Sequence, residues 1–266
     1  MVETVNSEEK LNQRIRDLID VGADIASGAV VGALSFLAGG PAGAAIFGAG
    51  GVVAARTLKY IGNEVSERFL GPREKVRIGG VLAVAASEIA QRINKGEKIR
   101  DDGFFEQKRQ GRSDADEVAE SIILKSQREP EEKKIVYMGH IFASVAFDRE
   151  ISAELAHQIL KAAEQLTYRQ LCILKLSTYK SVFKLREGDY RGQGNFSREL
   201  YQVLYECLDL YNRGFINFGG DVAFGPTDIK PGMMTIQGVG ADLYNLMQLW
   251  TIPNEDILHI AEILRQ

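Results

Sequence analysis

The sequence predicts a mainly α-helical protein with an N-terminal glycine-rich helical hairpin, a central helical bundle and a C-terminal α+β domain. Residues 25–55 contain no charged side chain, although 26% of the chain is charged. That run is too long for a buried strand and too rich in glycine for an ordinary amphipathic helix. Apolar residues at helical spacing then follow, and two short β-type segments, GFINF and MMTIQ, stand between helices near the C-terminus. The predicted parts are 1–71, 72–166 and 167–266.

The uncharged run divides at Gly39-Gly40-Pro41, because proline cannot continue a helix without losing a backbone donor. This predicts a hairpin of two helices, residues 18–38 and 42–59. Small residues four positions apart allow helix backbones to approach closely in lipid, where apolar burial gains nothing. The residues that we assign to membrane insertion or oligomer packing are Asp24, Gly28, Gly32, Gly39, Gly40, Pro41 and Gly43.

The hairpin allows two interpretations. It either packs inside a soluble helical protein or inserts into a membrane. Arg14 and Arg16 precede it and Arg56 and Lys59 follow it, so a membrane hairpin would keep both ends on the cytoplasmic side. We therefore expect a cytoplasmic body associated with the bacterial inner membrane.

Composition narrows the function classes. A net charge of -4 argues against a general nucleic-acid binder, which needs a basic surface. Cys172 and Cys207 lie in apolar helical patterns, where a thiol acts as a small buried hydrophobe, so a reducing compartment fits best. The N-terminus mixes acids and bases and does not resemble a cleaved signal peptide.

We find no pattern that identifies a reaction. Asp101 and Asp102 have no further ligand cluster nearby in sequence, and His140 stands among apolar residues, as a core histidine does. No HxxxH or CxxC spacing joins the histidines or cysteines. The sequence therefore predicts no catalytic residue, no metal and no cofactor, and the protein is not expected to be an enzyme.

The central part shows clear helix boundaries. A helix over 73–94 contains Gly79-Gly80, which should weaken its start. Ser113 with Asp116, and Thr167 with Gln170, have the spacing of N-terminal capping boxes. Between the helix over 73–94 and Ser113, a densely charged loop contains an aromatic pair, as expected of a mobile or partner-ordered loop with one aromatic anchor. The pair is Phe104 and Phe105.

Residues 167–249 follow the order helix, helix, strand, turn, strand, helix, which resembles a winged-helix domain. In such folds the helix before the first strand contacts DNA. Here that helix carries Glu199, Glu206 and Asp209, so specific nucleic-acid binding is not expected. Its aromatic stripe suits either a core or a protein interface, and the candidate partner contacts are Tyr201, Tyr205 and Tyr211. In the preceding glycine-rich loop, Tyr190 and Arg191 are weaker candidates for contact with phosphate or a base.

Together, the hairpin, the helix PREKVRIGGVLAVAASEIAQRI with its DDGFF loop, and the winged-helix-like end resemble bacterial abortive-infection proteins, the alpha group above all. The resemblance implies an antiviral defence effector or accessory protein and carries over no catalytic residues. The leading hypothesis is a non-enzymatic effector with a membrane-inserting hairpin and a protein partner or a homo-oligomeric state. The alternative is a soluble adaptor whose C-terminal domain binds protein or, less favoured, DNA.

Overall fold

The computed structural model describes residues 9–10, 12–18, 51–66, 70–109 and 111–266. Over these residues the protein is mainly helical, with a small two-stranded sheet near the C-terminus. The chain divides into two compact units between Gln165 and Leu166. None of the helices in the described ranges combines the length and the apolar character that a bilayer crossing requires.

In the part of the first unit that the structure describes, there is a helical segment at residues 12–18 and there are five longer helices. Their bounds are α1 (Val52–Ser66), α2 (Pro72–Asn94), α3 (Asp114–Arg128), α4 (Lys134–Val145) and α5 (Ala153–Gln165). All twelve residues of α4 are buried. Gly139 lets α4 approach α2, because a Cβ at this position would lie 2.7 Å from the Val84 Cβ atom. The core of the unit is therefore organised around α4.

A capping box explains where α3 begins. The Asp116 backbone N–H donates to the Ser113 hydroxyl at 3.1 Å, and the Ser113 N–H donates to the Asp116 carboxylate at 2.9 Å. These two bonds satisfy backbone donors that have no partner within the helix. The predicted capping box and the helix to Arg128 are confirmed.

The loop after α2 is fastened by a buried arginine. The Arg100 guanidinium donates to both Asp102 oxygens, at 2.8 and 2.5 Å, and to the Ile151 carbonyl at 2.7 Å. It also lies over the Phe104 ring, 4.3 Å from the ring centre. Phe104 is only 4% exposed, so its ring does not offer the open anchor for a partner that the sequence suggested. Phe105 is half-buried and meets Phe104 edge-to-face.

Helix α1 differs from the predicted second arm of the hairpin. The sequence predicts that this arm ends near Lys59, but the helix continues through Gly62 to Ser66. The reason is an apolar face that continues past Lys59, since Leu58 and Ile61 are both buried. The predicted turn at Gly39-Gly40-Pro41 and the first arm beyond Leu18 lie outside the described residues.

The second unit combines helices with the sheet. Its elements are α6 (Tyr168–Thr178), α7 (Lys180–Phe183), α8 (Arg198–Asn212), β1 (Ile216–Asn217), β2 (Thr235–Ile236), α9 (Val239–Leu246) and α10 (Asn254–Leu264). The strands are antiparallel, with Ile216 opposite Ile236. They are shorter than GFINF and MMTIQ suggested. β1 ends before Gly219 and Gly220, whose left-handed φ angles of 65° and 98° turn the chain, and β2 begins only after a 3-10 turn at Pro231–Met233.

The glycine-rich loop before α8 is not an open phosphate-binding loop. Tyr190 is fully buried, and its hydroxyl donates to the Leu264 carbonyl at 3.0 Å. Burial accordingly raises the pKa of this hydroxyl above its usual value of 10.0. Arg191 contacts the Asp228 carboxylate at 2.6 Å. The interpretation of Tyr190 as a contact to phosphate or a base is therefore wrong.

Candidate functional site

The residues that we assign to membrane insertion, Asp24, Gly28, Gly32, Gly39, Gly40, Pro41 and Gly43, all lie outside the described residues. The structure does describe the segments that flank them. Residues 12–18 precede the uncharged run, and α1 contains its last residues. Both flanks belong to the first unit. We call them the N-terminal anchor (residues 12–18) and the C-terminal anchor (α1).

The C-terminal anchor is attached along a continuous apolar face. Ala54, Leu58 and Ile61 recur at helical spacing and are all at most 2% exposed. They pack α1 against α3 and, less extensively, against α2. Its outer face carries Arg56 and Lys59, which are exposed. This end of the uncharged run is therefore firmly attached to the helical body.

The N-terminal anchor contacts the body through Ile15 and Leu18. Ile15 is 4% exposed and Leu18 is half-buried, whereas Gln13, Arg14 and Asp17 are exposed. The Gln13 amide donates to the Asp17 carboxylate at 2.7 Å, one turn further along. Such an exposed pair adds only a few tenths of a kcal/mol to a helix, on the order of 0.2–0.5. Within residues 12–18, the aliphatic side chains that pack against the body are therefore Ile15 and Leu18.

Those two side chains fit against Gly79 and Gly80 of α2, a pair that we call the glycine notch. A Cβ at Gly79 would lie 2.4 Å from Ile15 Cδ1, and one at Gly80 would lie 2.7 Å from Leu18 Cδ2. Neither contact is possible for a residue with a side chain unless the N-terminal anchor moves. The notch therefore lets the anchor approach the α2 backbone.

Sequence reasoning missed this role. The two glycines were interpreted as a weak start of the helix, since each costs about 1 kcal/mol relative to alanine. Helix α2 nevertheless runs unbroken from Pro72 to Asn94. The available signal was the placement of two adjacent glycines inside an otherwise continuous apolar helix, which indicates close backbone approach.

A cavity of about 550 Å³ adjoins the N-terminal anchor. The anchor, the start of α2 and the turn before α4 all contribute side chains to it. They are Arg14, Asp17, Leu18, Arg73, Val76, Glu132 and Lys133. The anchor therefore packs closely against the notch and borders open space beside it.

Hydrogen bonds fix the start of α2 at the edge of this cavity. The Gln127 side chain donates to Glu74 Oε1 at 2.9 Å, and the Gly71 backbone N–H donates to Glu74 Oε2 at 2.7 Å. These bonds, first that from Gln127 and then that from Gly71, lower the pKa of Glu74 below its usual value of 4.5. Arg77 donates to the Gln127 carbonyl at 3.1 Å. The docking surface for the anchor is thus held in position by α3.

Three other side chains that could act as acids, bases or nucleophiles are buried or hydrogen-bonded within the protein. His140 is buried, and its Nδ1 atom is bonded to Glu88, while no partner is found among the described residues for Nε2. The Lys175 ammonium donates to the Ile252 carbonyl at 2.5 Å and to Asn254 at 2.9 Å, and burial lowers its pKa. Burial raises the pKa of the Cys207 thiol. A thiol in that state is a poor nucleophile.

No metal-binding arrangement is found among the residues that the structure describes, where no three His, Cys, Asp or Glu side chains could together hold an ion. The expected absence of metals, cofactors and catalysis stays a prediction for the whole chain.

The candidate partner contacts in the second unit differ in accessibility. Tyr201 and Tyr205 lie one turn apart on α8 and are 51% and 59% exposed. Tyr211 is half-buried, with its ring centre 5.1 Å from that of Phe218. Phe224, in the turn between β1 and β2, is 87% exposed. Tyr201 and Tyr205 are therefore accessible to a partner on the surface of this unit, whereas Tyr211 packs against Phe218.

Comparisons with known protein families, curated proteins and solved structures found no match for this chain.

Proposed function

We propose that the protein is a non-enzymatic effector or accessory protein of bacterial antiviral defence, and that its glycine-rich hairpin inserts into a membrane. One observation carries the proposal. An uncharged, glycine-rich run lies between two anchors that belong to the same helical unit. In this arrangement the body stays in the cytoplasm at the inner membrane and the hairpin enters the lipid.

The charges beside the anchors favour this orientation. Arg14, Arg56 and Lys59 are all exposed, so they are available to stay on the cytoplasmic side or to meet anionic headgroups. Asp24 would lie at the membrane edge or face another helix, since insertion scales give about 2.5–3.5 kcal/mol for a charge at the bilayer centre. The spacing of Gly28 and Gly32 favours close helix contact, and hence a homo-oligomer of hairpins.

Two measurements in bacterial cells test this function: the membrane potential, and the amount of protein in the membrane fraction. Expression of the wild type should depolarise the cells, as measured with a voltage-sensitive dye, and should leave protein in the membrane fraction after alkaline carbonate extraction. Gly32→Leu should remain membrane-bound but inactive, because leucine keeps the apolar character and forces the helices apart.

A matched control is Gly188→Leu, because a Cβ at Gly188 meets no atom within 4 Å. This variant should depolarise cells as the wild type does. Wild-type protein that is absent from the membrane fraction and leaves the dye signal unchanged would overturn the proposal.

A second candidate function, an adaptor, is favoured by the exposed tyrosines of α8. The order of elements in the second unit supports a winged-helix-like arrangement in which α8 is the presenting helix. Two acidic residues of α8 contact α6, because Arg169 contacts Glu206 at 2.7 and 2.5 Å and Gln170 donates to Asp209 at 2.8 Å. The exposed surface of α8 combines Tyr201 and Tyr205 with Glu199, and an aromatic surface with an exposed acid favours a protein partner over DNA.

For the adaptor, the informative variant is Tyr201→Ala with Tyr205→Ala. It should lose a co-purifying partner while keeping the helical circular dichroism of the wild type. Val182→Ala is the control, because Val182 is also exposed but lies on α7. DNA binding at physiological salt that falls steeply as salt rises would contradict a protein-only interface.

A further inference from the structure

We propose that the connection after β1 is a self-association site, at which the loop of one copy of this chain binds the same loop of a second copy. The loop consists of residues 218–228 of the second unit, and we call it the exposed loop. The inference goes beyond the proposed function, because neither the hairpin nor a membrane takes part in this contact.

The exposed loop presents two apolar side chains to solvent. Val222 and Phe224 are 57% and 87% exposed, whereas Ala223 between them is buried. This alternation is that of an extended segment, in which side chains two positions apart share a face. Met233 lies at the base of the loop, because a Cβ at Gly219 would be 3.2 Å from its Cε atom, and it too is exposed. The exposed loop therefore offers a small apolar surface centred on Phe224.

Hydrogen bonds hold Phe224 in this position. The backbone N–H groups of Phe224 and Gly225 both donate to Asp228 Oδ2, at 2.8 and 3.1 Å, and Arg191 donates to Asp228 Oδ1 at 2.6 Å. The Arg191 guanidinium, and after it the Phe224 N–H, holds the pKa of Asp228 below its usual value of 3.8, so the carboxylate is charged at neutral pH. Because the loop is held in place before a partner arrives, binding loses less free energy to ordering than it would with a mobile loop.

The charges around the exposed loop argue against a nucleic acid or an anionic membrane as its partner. Asp221 pairs with Lys230 at 2.6 Å, and Asp228 pairs with Arg191. Nucleic acids and anionic lipids both attract surfaces with an excess of basic side chains. Among these four side chains the acids and bases balance, so a protein surface is the better match.

The same ion pairs make the surface complementary to itself. Asp221 is the more exposed member of its pair, at 55% against 29% for Lys230, whereas Arg191 is the more exposed member of the other, at 60% against 11% for Asp228. The rim of the loop therefore offers one acid and one base. In a dimer with two-fold symmetry, each contact between two different residues occurs twice. Asp221 of each copy can thus meet Arg191 of the other, which favours a second copy as the partner.

The size of the exposed loop indicates a weak dimer. A standard stable interface uses about 20–30 residues on each side, and residues 218–228 supply about half of that number. Interfaces at the small end of the size range belong to transient complexes. We therefore expect association that depends on the protein concentration and that centres on the aromatic side chain.

Oxidative cross-linking of full-length Val222→Cys protein tests this dimer. Position 222 is exposed beside Phe224, so a two-fold axis through the loop brings two copies of it together, and a mild oxidant should give a covalent dimer on a non-reducing gel. Wild-type protein should give none, because the native Cys172 and Cys207 are buried. The matched control is Val182→Cys, since Val182 is exposed on α7 outside the loop. It should cross-link more slowly by about tenfold or more.

Three further changes in the Val222→Cys protein identify the contact. Phe224→Ser should slow cross-linking by about tenfold or more, because the central aromatic side chain of an interface carries much of its binding energy. The exposure of Phe224 means that the fold should be kept, which circular dichroism checks. Asp221→Asn should also slow cross-linking, because two-fold symmetry removes its ion pair twice. Gly32→Leu should leave the rate unchanged, which separates this contact from any packing of hairpins.

The proposal is overturned if Val222→Cys cross-links no faster than Val182→Cys, or if Phe224→Ser leaves the rate unchanged. A fluorophore on the thiol of Val222→Cys distinguishes the partners. A blue shift as unlabelled wild-type protein is added would support the dimer. A blue shift with vesicles of phosphatidylethanolamine and phosphatidylglycerol, in a protein that does not cross-link, would assign the loop to a membrane instead and overturn the dimer. Failure of the hairpin to depolarise cells would leave the self-association site standing.

Discussion

The two anchors flank the same uncharged run, yet they are attached to the body in opposite ways. The C-terminal anchor presents side chains to α3 and α2, with Leu58 and Ile61 at most 2% exposed. The N-terminal anchor instead packs against Gly79 and Gly80 of α2, where any side chain would overlap Ile15 or Leu18. The C-terminal anchor is held by the burial of apolar side chains. The N-terminal anchor lies close to α2 because the two glycines have no side chains.

This difference teaches how stability is distributed along the first unit. Full burial of a leucine or isoleucine contributes about 1.5–3 kcal/mol, so α1 gains several such contributions. Within the described residues 12–18, Ile15 makes one such contribution, and the docking surface includes two glycines that cost α2 about 1 kcal/mol each. We expect residues 12–18 to open more readily than α1.

The largest expected effect comes from weakening the strong anchor. Ile61→Ala should lower the free energy of unfolding of the first unit by about 2–5 kcal/mol, because it leaves a cavity in a well-packed face. Urea unfolding followed by circular dichroism measures the change. Tyr60→Ala is the matched control, since Tyr60 is half exposed on the same helix. A loss as small as that of the control would show that α1 is not firmly attached.

An intermediate effect is expected at the second glycine of the notch. A Cβ at Gly80 would lie 2.7 Å from Leu18 and 3.1 Å from Ile135 Cγ2, so Gly80→Leu displaces the anchor and also strains the packing of α4. We expect a loss of about 1–3 kcal/mol in urea unfolding, as overpacking usually gives.

The neighbouring Gly79→Leu serves as the comparison for Gly80→Leu, because its Cβ would meet only Ile15 among the described residues. It should lower the unfolding free energy less. Equal losses for both variants would mean that α4 does not contribute to the notch.

The sequence predicted one side of this comparison better than the other. Helix boundaries that depend on local hydrogen bonds were confirmed, as at Ser113 and Thr167, because capping needs residues only three apart. The notch was missed because its meaning depends on a helix more than sixty residues away in sequence. In the sequence, a glycine pair that weakens a helix cannot be distinguished from one that lets a second helix pack closely against it.

The burial of aromatic side chains in loops was also not predictable from the local sequence pattern. Phe104 and Tyr190 lie in charged or glycine-rich loops that resemble exposed segments, yet both are buried. In each case a long-range contact decides, from Arg100 to the Ile151 carbonyl and from the Tyr190 hydroxyl to the Leu264 carbonyl. Aromatic residues in polar loops therefore cannot be placed without the packing around them.

A smaller effect is expected at the weak anchor. Ile15→Ala should change the urea midpoint little, on the order of 1 kcal/mol or less, because the loss cannot exceed the free energy that holds the anchor in place. Limited trypsin digestion should instead become faster at Arg14 and Arg16, since cleavage follows local opening. Gln13→Ala, at an exposed position, is the control. A large fall in the urea midpoint would make the N-terminal anchor part of the cooperative core.

The smallest effect concerns the pH dependence of the docking surface, through Glu74 at the start of α2. Hydrogen bonds from Gln127 and Gly71 favour its carboxylate form, and the pKa of Glu74 is lower in the folded protein than its usual value of 4.5. The carboxylate therefore stabilises the fold fully above that value. This contribution is lost as the pH falls through the lowered pKa.

Glu74→Gln removes this titration while keeping an oxygen acceptor at the same position. We expect the variant to be slightly less stable than wild type at about pH 6, and the difference between the two to shrink as the pH approaches about 3. Urea midpoints across that range measure it. Glu150→Gln, an exposed change in the same unit, controls for the loss of one negative charge. Because Glu74 tethers α2 to α3 beside the cavity, trypsin cleavage at the N-terminal anchor should rise with the same pH dependence. If the cleavage rate is the same in wild type and Glu74→Gln at every pH, the hydrogen bonds of Glu74 do not position the notch. The contact of the N-terminal anchor with α2 would then rest on the two glycines.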